Sequence, residues 1–125
     1  MRATIVFLLV MSLAVATPAV AEWTFIVRSN GGDQYFYDPS TLQKGARPRA
    51  WFLINFSSPT RYGDMSAMTF TEADCSEGKK RQLAARFYAD PMAASNPTTT
   101  DDKTQQWVYA APGTIDELTQ RILCK

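Results

Sequence analysis

The sequence of 125 residues contains no histidine and only two cysteines. Without histidine, the chain can build neither a Ser-His-Asp nor a Cys-His catalytic set, nor a zinc site that uses imidazole. Cys75 and Cys124 are too far apart to form a CxxC redox pair, and two thiolates are too few for a four-thiolate metal site. These absences exclude several classes of hydrolase, metalloprotein and redox enzyme.

The sequence also lacks an excess of charge of one sign, since 13 basic residues stand against 12 acidic ones. A neutral chain argues against nucleic acid as a partner, because binding to the phosphate backbone needs clustered positive charge. The acidic residues follow no calcium-loop pattern, and we expect Asp38 and Asp74 to cap turns. With no nucleophile–base pair and no glycine-rich phosphate loop, the sequence predicts a protein that is not an enzyme and has no cofactor or metal.

The first 21 residues have the pattern of a secretory signal peptide. Arg2 precedes an apolar run from Ala3 to Val15, and residues 19–21 form a small-x-small cleavage site. The alternative is a transmembrane anchor, but the run is shorter than the ~20 residues that span a bilayer. We therefore expect cleavage after Ala21, which leaves residues 22–125 as a single domain with equal numbers of basic and acidic side chains.

The predicted signal peptide determines where we expect the protein to be located. We expect a protein of the periplasm or the medium, or one associated with the cell surface, with no transmembrane segment in the mature chain. The residue directly after the predicted cleavage site is Glu22 and not a cysteine, so the sequence offers no lipid-anchor residue of the bacterial lipoprotein type.

The two cysteines become interpretable once the chain is exported. In an oxidising compartment, Cys75 and Cys124 are the only partners for each other within the chain. A bridge would close a loop of about 50 residues, and chain entropy then gives about 4 kcal/mol of stabilisation. The alternatives are two free thiols or a disulfide between chains.

Alternating apolar and polar residues predict about six strands, joined mostly by tight turns. The predicted strands are 23–28, 34–37, 49–56, 65–75, 80–90 and 105–110. Thr114 and Glu117 form a capping box before a short amphipathic helix at 115–124. The sequence thus predicts an α+β fold, in which an antiparallel sheet packs against a C-terminal helix that is disulfide-bonded to it.

A set of spaced markers covers nearly the whole mature chain. They are Trp23, Tyr35-Phe36-Tyr37-Asp38 before the turn at 40–42, Trp51, Asp74-Cys75, Trp107, Pro112-Gly113-Thr114, Leu118 and Cys124. In this arrangement the sequence resembles the surface-adhesin protein E family of Gram-negative bacteria. The resemblance implies a small antiparallel sheet, a C-terminal helix bonded to it by a disulfide, and an exported adhesion or binding protein.

The densest basic cluster comprises Lys79, Lys80, Arg81 and Arg86. Regular strand spacing predicts that Arg81 lies on the opposite face from Lys80 and Arg86. The cluster is a candidate binding site for acidic host-matrix polymers or acidic patches of proteins. The alternative, which we favour, is a solvated turn and strand edge where lysine discourages edge-to-edge pairing.

Aromatic residues are frequent on the predicted strands, and core packing accounts for most of them. We expect Tyr35, Tyr37, Tyr88 and Tyr109 to face outward as candidate binding residues, because alternate residues of a strand point to opposite faces.

The sequence therefore predicts an exported binding protein that engages a host-matrix or envelope protein. One alternative is a periplasmic inhibitor acting through the loop at 57–64 or the exposed loop at 91–103. Another is an envelope module that binds a small ligand in a pocket between helix and sheet.

Overall fold

The computed structural model describes residues 3–6, 8–12 and 22–125. Most of the predicted signal peptide, residues 1–21, lies outside the described residues. Its described parts, 3–6 and 8–12, have exposed side chains and no regular secondary structure. Within the described chain, no helix combines the length and the apolar character needed to cross a bilayer.

Residues 22–125 form one antiparallel sheet of seven strands and one C-terminal helix. The elements are β1 Thr24–Arg28, β2 Gln34–Tyr37, β3 Arg49–Asn55, β4 Ser66–Asp74, β5 Lys79–Tyr88, β6 Thr99–Asp101, β7 Val108–Tyr109 and α1 Ile115–Leu123. Strands β1 to β6 are neighbours in sequence order, and β7 also pairs with β5. The predicted α+β fold is confirmed.

Local turn chemistry sets the boundaries of the strands. The turn between β1 and β2 closes through a Ser29 N–H to Asp33 C=O bond of 2.8 Å, with Gly32 at a φ of +92°. Asp38 accepts a hydrogen bond from the Ser40 N–H and begins the 3₁₀ turn Pro39–Thr41. Asp74 likewise accepts bonds from Ser76 and Glu77. Both aspartates cap turns, as the sequence predicts.

The helix begins and packs as its sequence indicates. The Thr114 hydroxyl accepts from the Glu117 N–H at 3.3 Å, and the Glu117 carboxylate accepts from the Gly113 N–H. The helix covers one face of the sheet, where a core cluster comprises Ala50, Phe52, Ala73 and Leu123. A Cys75–Cys124 disulfide joins the end of β4 to the end of this helix, with the two Cα atoms 5.7 Å apart. The predicted disulfide is confirmed.

One irregularity overturns the predicted facing of the basic cluster. Phe70 of β4 pairs with Ala84, whereas the next residue, Thr71, pairs with Gln82. Leu83 is therefore an extra residue in β5, and every side chain before it is shifted to the other face. As a result Arg81 lies on the same face as Arg86. The prediction of opposite faces for these two arginines was wrong because it assumed an unbroken alternation.

The segment 91–103 is exposed, as predicted, but it is not wholly irregular. It contains the 3₁₀ turn Pro91–Ala93, which is held by bonds from the Met92 N–H to Asn55 and from the Ala93 N–H to the Ser66 hydroxyl. It also contributes β6, which supplies backbone partners to the free edge of β5. That pairing depends on the neighbouring strand, so local composition did not reveal it.

Candidate functional site: a sheet face of arginines and aromatic rings

The sheet face opposite the helix carries cationic side chains over aromatic rings. Ala50, Phe52 and Ala73 point to the helix, so Arg49, Trp51 and their neighbours in register point the other way. We call this surface the arginine–aromatic face. It comprises Arg47, Arg49, Trp51, Phe70, Lys79, Arg81, Arg86 and Trp107.

The centre of the face is a stack of two aromatic rings. Trp51 of β3 and Phe70 of β4 pair in register, and their ring centroids lie 5.1 Å apart at an interplanar angle of 20°. The Arg86 guanidinium lies 5.7 Å from the Trp51 ring, and the Arg49 guanidinium lies 6.0 Å from the Phe70 ring. Cation–π attraction holds the guanidinium planes near the rings, so these cations are positioned rather than free.

A second cluster surrounds Trp107 at the edge of the sheet. The Arg81 guanidinium lies 4.3 Å from the indole centroid, and Arg47 lies 5.4 Å from it. The Lys79 ammonium lies 6.0 Å from the same ring and 5.9 Å from the Tyr109 ring. Three cations thus share one aromatic centre, although they come from a loop and from β5.

Glu72 neutralises part of this charge from below the surface. Its side chain is only 3% exposed, and its carboxylate accepts from Arg49 at 3.0 Å and from Arg81 at 2.9 and 3.0 Å. Cross-strand pairing explains the arrangement, because Glu72 is the register partner of both arginines. One carboxylate between two guanidiniums leaves a net positive charge at the surface.

Two further carboxylates border the face. Asp102, which is 72% exposed, pairs with Arg86 at 2.7 Å. The pKa of Asp74 is lowered, chiefly by its hydrogen bonds from Ser76 and Glu77 and further by the charges of Arg47 and Lys79. Arg47 and Lys79 make no ion pair within the described chain. The cations therefore outnumber the carboxylates on this face.

The predicted basic cluster is divided between the two faces. Lys79, Arg81 and Arg86 belong to the arginine–aromatic face, whereas Lys80 points to the helix side and pairs with Asp116 of α1 at 2.7 Å. Lys80 thus joins strand and helix in the fold.

The predicted outward set of tyrosines is corrected by the structure. Tyr88 is only 7% exposed, and its hydroxyl contacts the Met68 sulfur at 3.2 Å. Burial raises the pKa of Tyr88 above its usual value. Tyr37 packs against the core cluster under the helix, and Tyr35 is half-buried on the same face. Tyr109 is 72% exposed and lies beside Lys79, so it alone of the four has the predicted exposure.

Sequence reasoning missed Arg47, Arg49 and Phe70, and it assigned no site role to Trp51, Trp107 or Glu72. A signal was present in two neighbouring strands. In the register of β3 and β4, Arg49 lies opposite Glu72 and Trp51 lies opposite Phe70. A cation therefore pairs with an acid, and two residues further along an aromatic ring pairs with an aromatic ring. Recognising it required the register of the two strands, which the sequence alone does not state.

The side chains of this face have the chemistry to contact anions and flat apolar surfaces. Guanidinium groups donate paired hydrogen bonds that match carboxylate, sulfate and phosphate oxygens, and the rings supply flat apolar surface. Among the residues that the structure describes, no group of three or more carboxylates or thiols is arranged to hold a metal ion.

Comparison with known proteins adds one finding. No curated protein matches the chain. The model of the family described as surface-adhesin protein E matches residues 23–125, which is nearly all of the predicted mature chain. The disulfide, the sheet and the terminal helix are the features that the resemblance implied. Family membership indicates an exported surface adhesin. The chain belongs to the surface-adhesin protein E family.

Proposed function

We propose that this protein is an exported, non-enzymatic binding protein whose arginine–aromatic face engages an acidic protein or matrix polymer. The observation that supports the proposal most directly is the placement of five cations against two tryptophans and a phenylalanine on one open sheet face. Residues 1–21 direct export, and residues 22–125 are the single binding domain.

The charge of the face favours an acidic partner. The mature chain is neutral overall, yet five of its twelve basic side chains belong to this face, against the three carboxylates of Glu72, Asp74 and Asp102. A local positive field attracts anionic partners and raises their association rate even when the net charge of the protein is zero.

The structure of the face also favours a macromolecule. Arginine and tryptophan are the side chains most often found at the energetic centres of protein interfaces. Here each guanidinium is held by a ring or by Glu72, so little side-chain entropy is lost when a partner binds. The face is open, which suits an extended surface better than an enclosed small molecule.

Arg47 and Lys79 provide the direct test, because neither is bonded to the buried carboxylate. We expect the double variant Arg47→Ser/Lys79→Ser to fold normally and to lose at least about tenfold in affinity for extracellular-matrix extract and for poly-L-glutamate. Binding should be measured with purified residues 22–125 at several salt concentrations, and the wild-type affinity should fall as salt rises.

The matched control is Arg121→Ser/Lys125→Ser, which removes the same charge from exposed positions on the helix and just after it. This control should bind like the wild type. Equal affinity for all three proteins, or equal loss in both variants, would refute the assignment of binding to this face.

A further inference from the structure

A cleft lies on the other side of the sheet, where the helix covers the strands incompletely. The C-terminal end of α1 is packed by Leu123 and tethered by Cys124. The first turn of α1, by contrast, forms one wall of a cleft of about 360 Å³. Residues 105–108 form the opposite wall, and the strands β2 to β5 form the floor. This volume lies within the range of pockets that hold small organic molecules.

The floor of the cleft is apolar and preformed. Phe52 and Ile54 of β3 lie beside Tyr35 of β2, and Ile26 and Ile115 complete the apolar surface. Phe52 is 6% exposed and belongs to the core cluster, so the floor is fixed by packing that the fold already requires. A ligand would find this surface in place without reorganising the core.

Hydrogen-bonding groups of the cleft are mainly uncharged. Thr71 is 4% exposed, and its hydroxyl lies 3.4 Å from that of Thr69 on the floor. Gln82 on the floor and Gln106 on the wall also line the cleft. Burial and the nearby carboxylates of Asp33 and Asp116 raise the pKa of Tyr35. Its hydroxyl is protonated at neutral pH, as in any ordinary tyrosine, and can donate a hydrogen bond.

The charges at the cleft cancel. Lys80 and Asp116 both line the cleft and form an ion pair of 2.7 Å. The Lys80 ammonium is therefore already paired and does not offer a free positive charge to a carboxylate ligand. Arg81 also lines the cleft, but its guanidinium pairs with Glu72, whose side chain lies on the opposite face. An anionic ligand would thus enter an apolar site without a free counter-charge, which is costly.

From these contacts we propose that the cleft is a second binding site, which takes an uncharged amphipathic molecule with an apolar body and a hydroxyl or amide group. The site is independent of the arginine–aromatic face, because the two lie on opposite sides of the sheet. An experiment that refutes one of the two binding sites therefore does not refute the other.

The probe for the test is N-phenyl-1-naphthylamine, an uncharged molecule whose fluorescence rises in apolar surroundings. Residues 22–125 should bind it saturably with one site per chain. The uncharged alcohol 1-decanol should displace it at roughly tenfold lower concentration than decanoate, which has the same chain length but carries a charge. Asp116→Asn frees Lys80 and should narrow that difference.

Two variants fill the cleft in different ways. Thr69→Phe places an aromatic ring on the floor of the cleft. Gln106→Trp places a ring at its mouth, and because Gln106 is exposed this substitution should not disturb folding. Both should abolish probe binding, whereas the control Thr99→Phe, at an exposed position of β6, should bind normally. Absence of saturable binding, binding unchanged in Gln106→Trp, or decanoate displacing the probe as well as decanol would each overturn the proposal.

Discussion

The buried carboxylate of Glu72 allows the sharpest test of how the arginine–aromatic face is built. Glu72→Gln keeps the size of the side chain but removes its charge. The new amide offers one oxygen to Arg49 and Arg81, and its NH₂ group cannot accept from either guanidinium. Three charge-assisted hydrogen bonds of 2.9–3.0 Å would be lost or weakened.

The expected cost follows from burial. Removing one partner from a fully buried ion pair costs about 3–5 kcal/mol. The side chains of Arg49 and Arg81 are 40% and 25% exposed, so water solvates part of the released charge. We therefore expect a loss of about 2–3 kcal/mol in the free energy of unfolding, or a Tm lower by about 10–20 °C for a domain of this size.

Urea titration followed by tryptophan fluorescence measures this loss, since Trp107 lies beside Arg81 and Trp51 stacks on Phe70, the ring beside Arg49. The matched control is Asp102→Asn, which makes the same acid-to-amide change at an ion pair whose acid is 72% exposed. That variant should lose less than about 1 kcal/mol. Similar losses in the two variants would show that Glu72 is not the buried centre of the face.

The same pair of variants separates stability from binding. Each removes one negative charge from the face, so each should bind poly-L-glutamate at least as tightly as the wild type at low salt, although only Glu72→Gln is strongly destabilised. Weaker binding by both folded variants would contradict the electrostatic basis of the proposed function.

Other predictions concern the scaffold. The double variant Cys75→Ser/Cys124→Ser should lower the free energy of unfolding by about 4 kcal/mol, and an unchanged urea midpoint would contradict the role of the tether. Thr114→Ala should cost about 1 kcal/mol through loss of the helix cap, as measured by thermal circular dichroism. Leu53→Ala, at a fully buried position, should cost about 3 kcal/mol by urea denaturation. Because the pKa of Asp74 is lowered, its contribution is present above the ordinary value of 3.8 and is lost as pH falls through the folded value. Asp74→Asn should therefore make stability depend less steeply on pH in that acid range, and an unchanged slope would argue against the cap.

Elements set by local chemistry were predictable. The capping box at Thr114, the aspartate caps of the turns and the strand periodicity each depend on residues a few positions apart, so the sequence alone determined the helix, the turns and most strands. The disulfide was predictable for a different reason, since two cysteines in an exported chain leave one partner for each.

The composition of each face was decided only by the tertiary structure. The alternation of side chains along a strand specifies two faces of the sheet. The register between strands and the β-bulges decide which residues lie on the same face. A single extra residue moves every side chain beyond it to the other face. Leu83 is that residue in β5, and it brings Arg81 beside Arg86. Tyr88 is buried for a comparable reason, because it packs beside Met68, a residue distant in sequence. The sequence determined the strands and their bridge to the helix, and the pairing of those strands decided which charges and rings meet.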